Sequence, residues 1–157
     1  MPRITPNLWF DTDSEEAAAF YVSIFPNSQI TNVLYYNAAG PRPAGTAMTV
    51  EFVIDGQRVI AINGGPQFRF SEAISLLVEC ADQAEIDHYW ARLSEGGEEG
   101  PCGWLKDRYG LSWQVCPSGM DELLGGPDEA RAERAMRAMF GMRKIDVAAL
   151  HAAAEQA

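Results

Sequence analysis

The feature that most constrains this chain is a repeat inside it. Asn7-Leu8-Trp9-Phe10 can be laid over Ser75-Leu76-Leu77-Val78 without a gap, and the match continues at the same offset to Tyr21 over Tyr89. Identities are few, so apolar pattern and punctuation carry it: a short apolar strand, a helix-capping residue (Ser14 against Asp82), then a helix. At 157 residues the chain is long enough for one well-packed core and short for two independent ones. The repeat therefore predicts a single α+β domain of two paired modules, one spanning about 1–65 and the other about 72–117, followed by a helical tail over about 118–157.

Each module reads as βαβββ. In the first, Ile4 to Phe10 is apolar and aromatic, and Asp11-Thr12-Asp13-Ser14 suits a turn and helix cap. The helix should end near Phe25, because Pro26 has no amide to donate and disfavours helical geometry in the residue before it. Gln29 to Tyr36 reads as a strand, and Thr46 to Asn63 as a hairpin turned at Asp55-Gly56. Asn63-Gly64-Gly65-Pro66 is a break between modules. The second module then restarts with Ile74 to Cys80, a helix from Gln83 to Ser94 closed by Gly96-Gly97, a short strand near Glu99 to Cys102, and a hairpin through Tyr109-Gly110. In the tail, Asp128 and Asp146 are placed as helix caps, and the apolar Met136, Met139, Phe140 and Leu150 must cover either this sheet or a partner's.

Composition excludes several classes of partner. A net charge of −10 opposes nucleic acid, whose binding surfaces need clustered Lys and Arg to displace counterions. No apolar run approaches the ~20 residues of a membrane span, and Met1-Pro2-Arg3-Ile4-Thr5 has no basic region before an apolar stretch, so the expected location is cytoplasmic, with no membrane partner. Cys80, Cys102 and Cys116 are an odd number without metal-type spacing, which predicts free thiols.

Leu8-Trp9-Phe10, the helix leading to Phe20-Tyr21, Asn63-Gly64-Gly65-Pro66-Gln67-Phe68-Arg69-Phe70, and Trp104-Leu105-Lys106-Asp107-Arg108-Tyr109-Gly110-Leu111-Ser112-Trp113-Gln114 carry a resemblance. Together they resemble the vicinal oxygen chelate superfamily of glyoxalases, extradiol dioxygenases and bleomycin-sequestering proteins. Within it they look like the PhnB-like group, also labelled demethylubiquinone methyltransferase-like, and Met142-Arg143-Lys144-Ile145-Asp146 extends the likeness into the tail. The resemblance implies a cupped sheet of two modules, and often a homodimer.

It also implies four metal-ligand positions, which fall here on Asn7, Ile60, Ser75 and Gln114. An isoleucine ligates nothing, and the other three are neutral donors too weak for a catalytic divalent ion, so no metal is expected. Nor is there a Gly-rich turn opening a helix to hold a cofactor such as S-adenosylmethionine, since Pro66 stops the Gly64-Gly65 turn; no cofactor is expected.

Strand alternation puts Asn7, Trp9, Ser75, Leu77, Ser112, Gln114 and Cys116 on the concave side. With Phe68 and Phe70 at the rim, Asn7, Trp9, Ser75, Leu77 and Gln114 form the candidate binding set for a small, partly aromatic organic ligand. Phe68, Arg69 and Phe70 serve equally well as packing between modules. Asp11 and Glu79 close equivalent strands and read best as turn residues, His88 and His151 as helix-surface residues, and Cys102 and Cys116 as structural thiols. Glu51, in mid-strand, suits a functional carboxylate or, more commonly, a salt bridge. Three functions stay open: a metal-independent small-molecule binder working as a homodimer, a metal-dependent enzyme of the glyoxalase or extradiol dioxygenase type, and an interaction domain whose cup is filled by its own tail.

Overall fold

Burial alternates along the strands, and the alternation decides where each helix lies. The computed structural model describes residues 1–156, which fall into two compact units, Met1–Phe70 and the described residues from Ser71 onward. In the first, β1 (Asn7–Phe10), α1 (Ser14–Ile24), β2 (Gln29–Tyr35), β3 (Ala47–Ile54) and β4 (Gln57–Asn63) follow the expected βαβββ order. They make a four-stranded sheet ordered β1-β4-β3-β2, with β1 parallel to β4 and the remaining pairs antiparallel. Leu8, Phe10, Val50, Phe52, Val59 and Ala61 are buried on one face beneath Ala17, Ala18, Tyr21 and Ile24 of α1. Two alanines on the buried stripe let the helix approach closely, and Tyr21 stacks on Phe52 with ring centroids 6.1 Å apart.

The start of α1 differs from expectation. Asp13, not Ser14, is the N-cap and makes no side-chain capping bond, while the Ser14 hydroxyl is buried without a partner. The cap comes from across the sheet: Ser14 N donates to Asn63 Oδ1 at 2.9 Å. Asn63 Nδ2 donates to Ala47 O at 3.1 Å, and Tyr36 Oη donates to Asn63 O at 2.7 Å. One buried asparagine thus ties the helix start to two strands, and a local cap becomes redundant.

In the second unit, β5 (Ser75–Cys80), α2 (Gln83–Ser94), β6 (Glu98–Glu99), β7 (Trp104–Lys106) and β8 (Ser112–Pro117) repeat the order, and their sheet runs β5-β8-β7-β6. Val78, Cys80, Leu105, Trp113 and Val115 are buried on the face that meets Ile86, Trp90 and Leu93 of α2. Asp82 caps this helix as expected, accepting from Glu85 N at 2.9 Å. The β7–β8 turn is held by Asp107, only 2% exposed. Its carboxylate accepts from Tyr109 N at 2.8 Å, Leu111 N at 3.1 Å and Trp113 Nε1 at 2.9 Å.

The tail forms α3 (Met120–Gly125), α4 (Glu129–Phe140) and α5 (Val147–Glu155), with Asp128 and Asp146 capping the last two as expected. Leu123, Ala135, Ile145, Leu150 and Ala154 make its own buried cluster, with Met139 against it. Its anchors are on α2 and a turn before β7: Gln83 binds Ile145 O at 2.9 Å and Val147 N at 2.8 Å, and Lys144 pairs with Asp87 at 2.7 Å. Of the apolar residues expected to cover a sheet, Leu150 and Met139 go into the tail's own core, and Met136 and Phe140 are exposed. None of the described helices is long and apolar enough to cross a membrane.

Candidate binding faces

Each sheet has a second face, opposite its helix. In the first unit this face carries Asn7 and Trp9 of β1, Arg58, Ile60 and Ile62 of β4, and Thr49, Glu51 and Val53 of β3, in rows set by Asn7↔Ile60, Trp9↔Ile62, Glu51↔Ile60 and Thr49↔Ile62. Trp9 is fixed by the loop after β4. Its Nε1 donates to Gly65 O at 2.9 Å, and Gly64 lies so close that a Cβ there would sit 2.2 Å from the indole. Phe68 meets that indole edge-on at 5.0 Å yet remains 65% exposed, leaving an aromatic corner open to a planar ligand. Asn7, exposed beside it, donates to Thr5 O at 3.1 Å.

Phe70 goes elsewhere. It packs edge-on against Phe10 at 5.1 Å, and Phe10 belongs to the helix-facing side. The aromatic loop therefore packs on its own unit's first strand and straddles both sides of it.

Glu51 has a firm partner on this face. Arg58 grips it bidentately at 2.6 and 2.8 Å and also donates to Thr5 Oγ1 at 2.9 Å. The hydrogen bond from Arg58 outweighs desolvation and holds the Glu51 carboxyl below the usual glutamate range, while the Arg58 guanidinium is raised in turn. Of the two roles expected for Glu51, the salt bridge is the one present.

The open face of the second unit carries Ser75, Leu77 and Glu79 of β5, Ser112, Gln114 and Cys116 of β8, and Trp104 and Lys106 of β7. Gln114 Nε2 donates to Ser75 Oγ at 2.9 Å, and Leu77, in the same row as Gln114, is 56% exposed. Lys106 sits opposite Ser112 and reaches Glu72 at 2.6 Å; the Ser112 hydroxyl is buried and has no hydrogen-bond partner. The structure thus assembles Asn7, Trp9 and Phe68 in one unit, and Ser75, Leu77 and Gln114 in the other. Ser112 joins the second group as strand alternation predicts, and Lys106 joins it too, which only strand pairing reveals.

Strand register corrects one detail of the ligand positions. Asn7 stands beside Ile60, whereas its repeat equivalent Ser75 stands beside Ser112 and Gln114 lies one pleat further on. The true equivalents are Ile60 with Ser112, and Ile62 with Gln114. Neither choice supplies a charged oxygen or imidazole, and no group of three His, Cys, Asp or Glu capable of holding a metal ion exists among the described residues. The donor set does not fit the divalent metal of the superfamily. The Gly64-Gly65 turn opens no helix either, so the usual cradle for an adenosyl cofactor is not built there.

His88 and His151 are exposed on helices, His88 edge-on to Tyr89 at 5.0 Å. Asp11 pairs with Arg42 at 3.2 Å, and Glu79 is exposed beside Cys116.

Comparison with known proteins agrees with this architecture. The sequence profile of the 3-demethylubiquinone-9 3-methyltransferase family matches residues 2–116, and so stops short of the tail into which Met142–Asp146 had extended the likeness. A PhnB protein from Bacillus cereus is 33% identical, with a TM-score of 0.67, over 74% of this chain and 100% of its own. Protein PA1353 from Pseudomonas aeruginosa shares the fold at 22% identity and TM-score 0.61, over 74% of this chain and 98% of its own. The fosfomycin resistance protein FosX of Listeria monocytogenes does so at 19% and 0.52, over 78% and 97%. No curated protein matches the sequence. With the profile spanning both modules and the Bacillus cereus protein aligned end to end, the chain belongs to the PhnB-like, 3-demethylubiquinone-9 3-methyltransferase-like family of the vicinal oxygen chelate superfamily.

Proposed function

We propose that this protein is a metal-independent binder of a small, partly aromatic organic molecule, with candidate contacts Asn7, Trp9 and Phe68 on the open sheet face of the first unit, where Phe70 supports the aromatic loop from behind, and Ser75, Leu77 and Gln114 on the open sheet face of the second. The observation that carries the reading is the Trp9–Phe68 corner, an edge-on pair at 5.0 Å whose outer ring is 65% exposed. An edge-on aromatic pair with one ring open to solvent offers a planar molecule both a face and an edge to pack against. Neutral hydrogen-bonding groups beside apolar surface suit a ligand recognised by shape and a few polar contacts. The protein acts as a cytoplasmic homodimer, a state supported by Leu34, Tyr35 and Leu77, each at least half exposed on the strands.

Elemental analysis and native mass spectrometry of freshly purified protein test this together. The expected result is a metal-free dimer that carries, or takes up, a small aromatic molecule and loses it in a Trp9→Ala variant. Stoichiometric Fe, Mn, Ni or Zn would overturn the metal-independent reading, and a monomeric mass would overturn the dimer.

A further inference from the structure

The Trp9 corner has a charged neighbour that the strands do not reveal. Between β2 and β3 runs a loop closed at its base by Tyr36 N donating to Thr46 O at 2.8 Å and Gly45 N donating to Tyr36 O at 2.9 Å. Tyr36 is buried, and its hydroxyl donates to Asn63 O at 2.7 Å. That bond brings the loop beside the end of β4, where Gly64 and Gly65 begin the turn that holds the Trp9 indole. Most of the loop is exposed, but the Arg42 side chain keeps only 24% of its surface in water.

Two side-chain tips converge over the second of those glycines. Gly65 is buried at a φ of 104°, a region that residues with side chains rarely enter. A Cβ built on it would meet Gln67 Oε1 at 2.6 Å and Arg42 Nη2 at 2.7 Å. The guanidinium and the amide therefore stand where a Gly65 side chain would. The carbonyl of the same glycine accepts from the Trp9 indole at 2.9 Å, and the chain runs on through Gln67 to Phe68, the open ring of the corner. One glycine thus separates a cation from the aromatic pair, and all of these groups belong to the first unit.

Arg42 differs from Arg58 in how far its donors are satisfied. Arg58 donates twice to Glu51, at 2.6 and 2.8 Å, and once to Thr5 Oγ1. Among the described residues Arg42 makes one polar contact, Nη2 donating to Asp11 Oδ1 at 3.2 Å, longer than the roughly 2.7–2.9 Å of a strong charge-assisted bond. A guanidinium presents several N–H donors in a planar fork, so most of this fork is open to an incoming acceptor. Asp11, 54% exposed, can turn to water at little cost. The Gln67 amide, exposed beside it, can add a donor of its own.

Resting on the aromatic-binding reading above, we infer that Arg42, with Gln67, binds the carboxylate of an aromatic acid whose ring lies against Trp9 and Phe68, with Asp11 giving way to it. A planar carboxylate matches the guanidinium fork through two parallel N–H···O bonds, whereas the neutral amide of the same acid offers one oxygen. The chain as a whole carries a charge of −10 and repels anions at long range, so a preference for the anion must come from a local cation.

The test is equilibrium dialysis of the full-length protein, at neutral pH and low salt, against benzoate, phenylacetate and 1-naphthoate, each paired with its neutral primary amide. At least one acid should bind wild type about tenfold or more tighter than its amide, the range of a hydrogen bond to a charged group. Arg42→Gln should bring the acid's affinity down to that of the amide, and Trp9→Ala should weaken both. Asp11→Asn frees the fork and should raise the acid's affinity several-fold while leaving the amide's unchanged, a gain that a merely structural Arg42–Asp11 pair would not produce. Equal uptake of acids and amides, lost in Trp9→Ala, would overturn the charge preference and leave the aromatic corner standing. Uptake of neither would overturn both. An acid preference that survives in folded Arg42→Gln, or the absence of a gain in Asp11→Asn, would each overturn the role of Arg42.

Discussion

A carboxylate shut away from water persists in a fold only where donors replace its hydration, and Asp107 shows what this demands. Tyr109 N and Leu111 N converge on one of its oxygens and Trp113 Nε1 on the other. In Asp107→Asn an NH2 group must face one of these donors, so a loss of about 2–3 kcal/mol is expected in urea unfolding with an unchanged m-value. An undiminished midpoint would show that the turn holds itself. Glu51 makes the complementary case at the surface. Its folded carboxyl titrates below the ordinary 4.5, so the Arg58 pair stabilises the fold above that pH and the contribution fades as pH falls through the lower folded value. Glu51→Gln should remove that part of the acid slope while leaving the melting curve unchanged in shape; an identical slope between pH 5 and 3 would show the pair to be idle. The salt bridge of Glu51 was one of two roles its sequence position offered, but the roles of Asp107 and Asn63 were not legible. Asp107 stood only as one residue of the Trp104–Gln114 run, and Asn63 as the edge of a glycine break, because a side chain's partners across a sheet leave no mark on its neighbours in the chain.

What local pattern does mark is the element, and the caps of α2, α4 and α5, the Pro26 stop, the Asp55-Gly56 hairpin and the order of both modules were readable for that reason, whereas the cap of α1 was not. Pairing between strands is a non-local choice, which is why the repeat aligned β1 with β5 correctly while the equivalence of Ile60 with Ser112 appeared only in the register. The loop after β4 shows a similar limit: two glycines and a proline signalled a break, but not that the indole of Trp9 needs the missing Cβ. Gly64→Ala places a methyl 2.2 Å from that ring, and either indole or loop must move, costing about 1–3 kcal/mol. The same variant should weaken aromatic-ligand uptake, as read by native mass spectrometry. Unchanged stability and uptake together would mean that the Trp9 corner is not set by this loop.

At the scale of the whole chain, the tail lies outside the residues that the family profile matches. The family profile ends at residue 116, within β8, and so covers none of α3, α4 and α5, and the Bacillus cereus PhnB protein aligns over its whole length with 74% of this chain. The tail brings its own buried cluster, attaches through polar bonds to Gln83, Asp87 and the Cys102–Gly103 amides, and adds no strand to either sheet. A chain cut after Ser118 should therefore keep its strand and helix signature in circular dichroism, less the tail helices. It should also melt several degrees lower, since losing each kcal/mol of attachment lowers Tm by roughly 2–8 °C in domains of this size range. Gln83→Ala in the full chain gives a finer reading, because it removes a donor and an acceptor to the tail at once and should loosen residues 145–155 in hydrogen exchange while sparing the strands. Loss of β-sheet signal on truncation would mean that the sheets depend on the tail and that this chain has departed from its shorter relatives in how it folds. Retention would identify the three helices as an addition docked on a finished family domain.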